Sequence, residues 1–174
     1  MVEAVRENIF LFNYQVVSDN TNIGHIRLNW FAAKANLHIN GKTYKVYPKP
    51  GQGIRWGIMP PGIYLLESDG IVVAQYQSTR HTVSISLPGV SMVSVEGKLI
   101  YAGKELALKT QSFRKGLFSV VENSQEVGTL HVERAFLLRK LVADLPSNIP
   151  LEIQVFLLWV LLRSYKVAGE VGGS

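Results

Sequence analysis

The chain has no cysteine, which excludes disulfides, thiolate metal sites and cysteine nucleophiles but leaves the compartment open. Glycine and proline are sparse, fifteen and seven in 174 residues, too few for a disordered or collagen-like chain. A long apolar run is missing too. The most apolar stretch, Ile149–Leu162, is interrupted by Glu152 and Gln154. As a helix it covers ~21 Å, short of the ~30 Å of hydrocarbon that a spanning helix must cross. At the N-terminus Glu3 and Glu7 stand where a secretory signal needs an unbroken apolar segment. These absences lead to the expectation of a soluble, cytoplasmic protein that is at most peripheral to a membrane.

Acidic residues are also missing from one region. Between Asn20 and Leu66 there is no Asp or Glu, while Arg27, Lys34, Lys42, Lys45, Lys49 and Arg55 supply six positive charges. A shorter acid-free run, Leu106 to Val121, holds Lys109, Arg114 and Lys115. The whole chain has 18 basic and 13 acidic residues, a net charge of +5. Local positive fields of this kind favour anionic partners such as lipid headgroups, nucleic acid or phosphorylated ligands. Ordinary solvated lysines on strands give the same pattern.

What is present is the composition of one compact domain, 47% hydrophobic and 18% charged. A chain of this length buries roughly 70% of its unfolded surface in a single core. From Phe12 to about Val142 it reads as strands and turns. Asn40-Gly41 and Asp69-Gly70 suit two-residue hairpin loops, whose central residues take φ > 0. Asp19–Asn22, Glu96-Gly97, Gly103-Lys104 and Asn123–Glu126 are weaker turn candidates. The clearest strand segments are Phe12–Val17, Ile23–Trp30, Leu37–Val46, Ile63–Glu67, Ile71–Gln77, Thr82–Leu87, Leu117–Val121 and Val127–Arg134. In His81–Leu87, Val83, Ile85 and Leu87 alternate with Thr82, Ser84 and Ser86, as in a strand with one wet face. Phe136–Val142 fits either a last strand or a short helix. With the weaker runs the chain has about a dozen strands at turn spacings near ten residues, a meandering sandwich or closed barrel.

The pattern then changes. Ser147-Asn148-Ile149-Pro150 suits a helix start, because Ser or Asn caps free amides and Pro is tolerated in the first turn. Val155–Leu162, VFLLWVLL, is apolar on every side of a helix, where a surface helix shows only a stripe. Glu152 near its start and Arg163 and Lys166 near its end complement the helix dipole. Such a helix must be enclosed by protein, and a barrel of strands around it is the simplest enclosure. The expected organisation is one domain over 1–174, with strands over about 12–142, a central helix over about 149–165, and a tail over 168–174.

This layout resembles the tubby C-terminal-like superfamily, which includes tubby domains, phospholipid scramblases and LURP-one-related proteins. The resemblance rests on the organisation across Phe12–Lys166. Locally it rests on Ser68-Asp69-Gly70 before an apolar strand, on Gly128-Thr129-Leu130 opening a late strand, and on the DLPSNIP–QVFLLWVLL passage. It implies a closed antiparallel barrel of about 12 strands around a buried C-terminal hydrophobic helix. It also implies recognition of phosphoinositide headgroups by basic side chains at the barrel surface.

Motifs for catalysis are weak. The histidines, at positions 25, 38, 81 and 131, show no helical or turn spacing for a metal, and no metal or cofactor is expected. Asp69, His81 and one of Ser84, Ser86 or Ser91 make a hydrolase triple on paper, without a G-x-S-x-G elbow. Glu67 and Asp69 are separated by a turn signal. Pro48–Gly57 matches neither a dinucleotide fingerprint nor a P-loop, yet it sets Lys45, Lys49 and Arg55 beside Tyr44, Tyr47 and Trp56. Simple alternation, with Tyr44 and Val46 facing the core and Lys45 and Tyr47 facing water, accounts for the strand part of that segment.

The reading is therefore a non-enzymatic binding module that docks on anionic lipid headgroups through Lys42, Lys45, Lys49 and Arg55. Nucleic acid is the weaker partner. The alternatives are a barrel carrier of a small apolar ligand, or a protein-interaction module with no small ligand.

Overall fold

The computed structural model describes residues 1–7, 13–28, 34–50, 62–86, 90–112, 115–135 and 138–171; at 80–86, 90–93, 134–135, 138–139 and 166–171 it describes the backbone. Twelve strands follow one another along the chain. They are β1 (Val2–Arg6), β2 (Asn13–Ser18), β3 (Thr21–Leu28), β4 (Ala35–Ile39), β5 (Lys42–Pro48) and β6 (Ile63–Ser68). Then come β7 (Ile71–Ser86), β8 (Val90–Tyr101), β9 (Lys104–Ser112), β10 (Leu117–Glu122), β11 (Gln125–Ala135) and β12 (Leu138–Asp144). Each strand pairs antiparallel with its sequence neighbours, and β1 pairs with β12 to close the barrel. One helix, α1 (Leu151–Val171), follows all of them.

Five two-residue turns, at 19–20, 40–41, 69–70, 102–103 and 123–124, have positive φ at both residues. That matches the right-handed strand twist, which is why Asn-Gly and Asp-Gly were legible as hairpins. In an up-and-down meander all five lie at one end of the barrel. Met1, Asp144 and the start of α1 lie at this end too. The connections between β3 and β4, β5 and β6, and β9 and β10 lie at the other.

Several details differ from the sequence reading. Strand β1 precedes the expected series, and its closing register is Val2↔Ala143 to Val5↔Lys140. Ile71–Gln77 and Thr82–Leu87 belong to one long strand as far as Ser86, while Leu87, Phe12, Asn29, Trp30, Phe136 and Leu137 lie outside the described residues. The ambiguous segment near 136–142 is strand from Leu138 onward. Glu96-Gly97 is no turn: it lies inside β8, with Gly97 opposite Ser78 and Leu108. A Cβ at Gly97 would collide with the Tyr76 hydroxyl, so the glycine makes room for a buried ring. Gly128 likewise lies within β11.

Helix α1 is buried on all sides over 153–162. Every residue from Ile153 to Leu162 is buried, Gln154 being the most accessible at 6%. The helix contacts β1, β4, β7, β8 and β12, strands spread around the circumference, so it runs through the barrel. Each fully buried Leu, Val or Phe side chain there contributes about 1.5–3 kcal/mol by leaving water. Trp159 is 1% exposed and sits edge-on to Tyr64, with ring centroids 5.3 Å apart.

The start of α1 also differs from expectation. The Pro150 carbonyl accepts from the amides of Ile153 and Gln154, and the Gln154 side chain donates to the Ile149 carbonyl at 2.9 Å. Pro150 therefore occupies the position just before the helix, Ser147 and Asn148 lie farther upstream, and the Gln154 side chain ties the helix to the preceding turn. The helix continues to Val171, so Arg163 and Lys166 are not in its last turn. Among the described residues no helix is long and apolar enough to cross a membrane.

Candidate functional site

In a nearest-neighbour meander a bias that is local in sequence becomes local in space. The acid-free segment is β3, β4, β5 and the beginning of β6, four adjacent strands. Along β5, Tyr44 and Val46 are buried while Thr43 and Lys45 are exposed and Tyr47 is half-buried. The outer face of β3–β5 thus carries two cross-strand rows. Arg27, Asn36 and Lys45 are successive register partners, as are His25, His38 and Thr43.

Arg27, Lys34, Lys45 and Lys49 are all exposed on this side. None of them forms an ion pair among the described residues. Two lysines elsewhere on the barrel are paired: Lys140 contacts Glu3 at 2.8 Å and Glu133 at 3.3 Å, and Lys98 contacts Glu105 at 2.8 Å. Lys42, Lys104, Lys109 and Lys115 are exposed and form no ion pair among the described residues. The hydrogen bond from Lys140 to Glu3 raises the ammonium pKa above its ordinary value. Glu67, the first acid beyond the segment, is register partner to Lys45, but its carboxylate accepts the Tyr47 hydroxyl at 2.5 Å.

The structure brings Lys45 and Lys49 to one outer face and adds Lys34 to them. Lys34, Asn36, Lys45, Tyr47 and Pro48 line a surface groove of about 420 Å³. Two ammonium groups and an amide at such a groove can hold an anionic group by charge-assisted hydrogen bonds. Lys42 is exposed but stands at the hairpin end of β5, beside the 40–41 turn, seven residues before Lys49. Arg55, with Trp56 and the rest of residues 51–61, lies outside the described residues.

The paper hydrolase triple is not assembled. Asp69 is at the tip before β7, and His81 is ten positions beyond Ile71 along that strand, about 33 Å away at 3.3 Å per residue. Among the described residues, no three His, Cys, Asp or Glu side chains converge as metal ligands.

Sequence reasoning missed one pair. The rings of His25 and His38 stack on the outer face with centroids 4.3 Å apart and planes 30° apart. The Thr43 hydroxyl lies 3.0 Å from His38 Nδ1, and His25 Nε2 is buried without a hydrogen-bond partner. Gly24 permits this approach. At φ +156°, it lies so close to β4 that a Cβ there would overlap the His38 carbonyl. The two histidines are thirteen apart in sequence and their strands lack a tight hairpin, so no local spacing reports the register.

Comparison of the chain with family models, with curated proteins and with solved structures returns no significant match.

Proposed function

We propose that this barrel is a non-enzymatic docking module, whose outer β3–β5 face rests on anionic phospholipid headgroups, phosphoinositides among them. The observation that carries the reading is the set of exposed cations, Arg27, Lys34, Lys45 and Lys49, gathered on adjacent strands without an ion pair among the described residues, the neighbouring Glu67 being engaged by the Tyr47 hydroxyl. The groove between Lys34 and Lys45 offers a place for one headgroup phosphate. The tubby-like layout of twelve strands around one apolar helix agrees with this reading, and so does the placing of charge outside a filled barrel. A carrier of an apolar ligand needs interior room, and the side chains of Ile153–Leu162 stand there.

Each basic side chain near an anionic surface contributes about 1 kcal/mol, and salt weakens it. The test is co-sedimentation with neutral phosphatidylcholine vesicles and with vesicles containing phosphatidylserine or phosphoinositide, at low and physiological salt. Binding is expected to the anionic vesicles only, to weaken with salt, and to disappear in Lys45→Glu/Lys49→Glu with the melting temperature nearly unchanged. Lys42→Glu, at the far end of β5, is expected to cost less. Unaltered sedimentation of the double variant sinks this face as the docking site.

A further inference from the structure

We infer that the stacked His25–His38 pair is a proton-operated control on the same basic face, strengthening its hold on anionic membranes in mild acid. The inference rests on the docking reading and adds its regulation.

The surroundings of His25 are one-sided in charge. Its own strand supplies Arg27 two residues away, β4 supplies His38 directly opposite, and β5 supplies Thr43 and, one step along, Lys45. From β2 comes Gln15, which is neutral. Glu7, after β1, is the one carboxylate acting on it. Burial, and then the positive neighbours His38 and Arg27, hold the His25 imidazole below its ordinary pKa, with Glu7 opposing. The ring is therefore neutral around neutral pH and free to stack on His38.

Two imidazolium rings 4.3 Å apart repel each other, so acid sets the stacked arrangement against itself. An anionic surface reverses the balance. Its negative potential compensates the added charge, so vesicle binding and proton uptake reinforce each other. Lys34, Lys45 and Lys49 provide the part of the attraction that does not depend on the histidines.

Vesicles of phosphatidylcholine with phosphatidylserine test this, since neither headgroup changes charge appreciably between about pH 5.5 and about pH 7.5. The wild-type chain should bind about fivefold more tightly per proton taken up at the lower pH. His25→Gln/His38→Gln should lose most of that ratio while keeping its binding at about pH 7.5 and its melting temperature. His131→Gln, a histidine held beside Glu133 on β11, should keep the ratio. A ratio that survives in His25→Gln/His38→Gln overturns the inference and leaves the docking reading standing. Absence of binding at either pH overturns both. An NMR titration of the imidazoles supplies a further readout: if neither His25 nor His38 takes up a proton between about pH 7.5 and about pH 5.5, even with anionic vesicles present, the control is overturned as well.

Discussion

At the scale of single residues, the core depends most on Trp159. It is packed between Tyr64 and Phe156, with ring centroids 5.3 Å and 5.8 Å away. Trp159→Asp places an unpaired charge there at a cost of several kcal/mol, against ~5–15 kcal/mol of total stability. We expect loss of soluble folded protein by circular dichroism; a variant as heat-stable as the parent refutes the enclosed helix. The buried tyrosines set an alkaline limit. Burial raises the pKa of Tyr76 strongly, with Tyr64 and Glu96 adding to it, and burial also raises Tyr44 and Tyr101. Unfolded tyrosine ionises near ~10. Stability from these groups is therefore complete below about pH 10 and is lost as pH rises beyond it, because only the unfolded chain readily releases the protons. Melting temperatures across that range, with phenolate absorbance appearing only on unfolding, check the sign.

At the scale of elements, what was legible in the sequence was whatever local chemistry determines. Asn40-Gly41 and Asp69-Gly70 required left-handed backbone, and VFLLWVLL had no polar side to present to water. What escaped depended on distant partners. Val2–Arg6 is strand because β12 and β2 flank it, and nothing within those five residues announces that. Glu96-Gly97 carried a turn signal, yet the glycine answers to Tyr76 on the neighbouring strand. The basic residues of the site were legible as a charge run, but the separation of Lys42 from Lys45 and Lys49 needed the strand's direction and ends. Gly97→Ala tests the cross-strand reading. Its Cβ would run into the Tyr76 hydroxyl and meet the Gln77 carbonyl at 2.6 Å. Overpacking of this kind costs about 1–3 kcal/mol, measurable as a lower denaturation midpoint. An unchanged midpoint would show that β7 and β8 have room to spare.

At the scale of the whole molecule, the two ends of the barrel differ. The hairpin end carries Asp19, Asp69, Glu105, Glu122, Glu126 and Asp144 at or next to its turns, against Lys42 and Lys104. Lys34, Lys49 and Lys115 lie at the opposite end, against Glu7. A barrel polarised along its axis is turned by an anionic surface before it touches, with the acidic hairpins facing away. The salt sensitivity expected of vesicle binding thus belongs to the field of the molecule as well as to Lys45 and Lys49.

The position of α1 after all twelve strands has a consequence for biogenesis. Helix α1, which fills the interior, leaves the ribosome after all twelve described strands, and the strand that closes the wall, β12, emerges just before it. Until then the nascent chain is an open sheet with an unfilled apolar face and two bare edges, a hazard for association with its neighbours. Closing β1 onto β12 also joins strands far apart in sequence, a pairing that tends to be slow. The acid-poor early strands spend that interval exposed, and like charges such as Lys42 and Lys45 on β5 oppose pairing between edges of neighbouring copies.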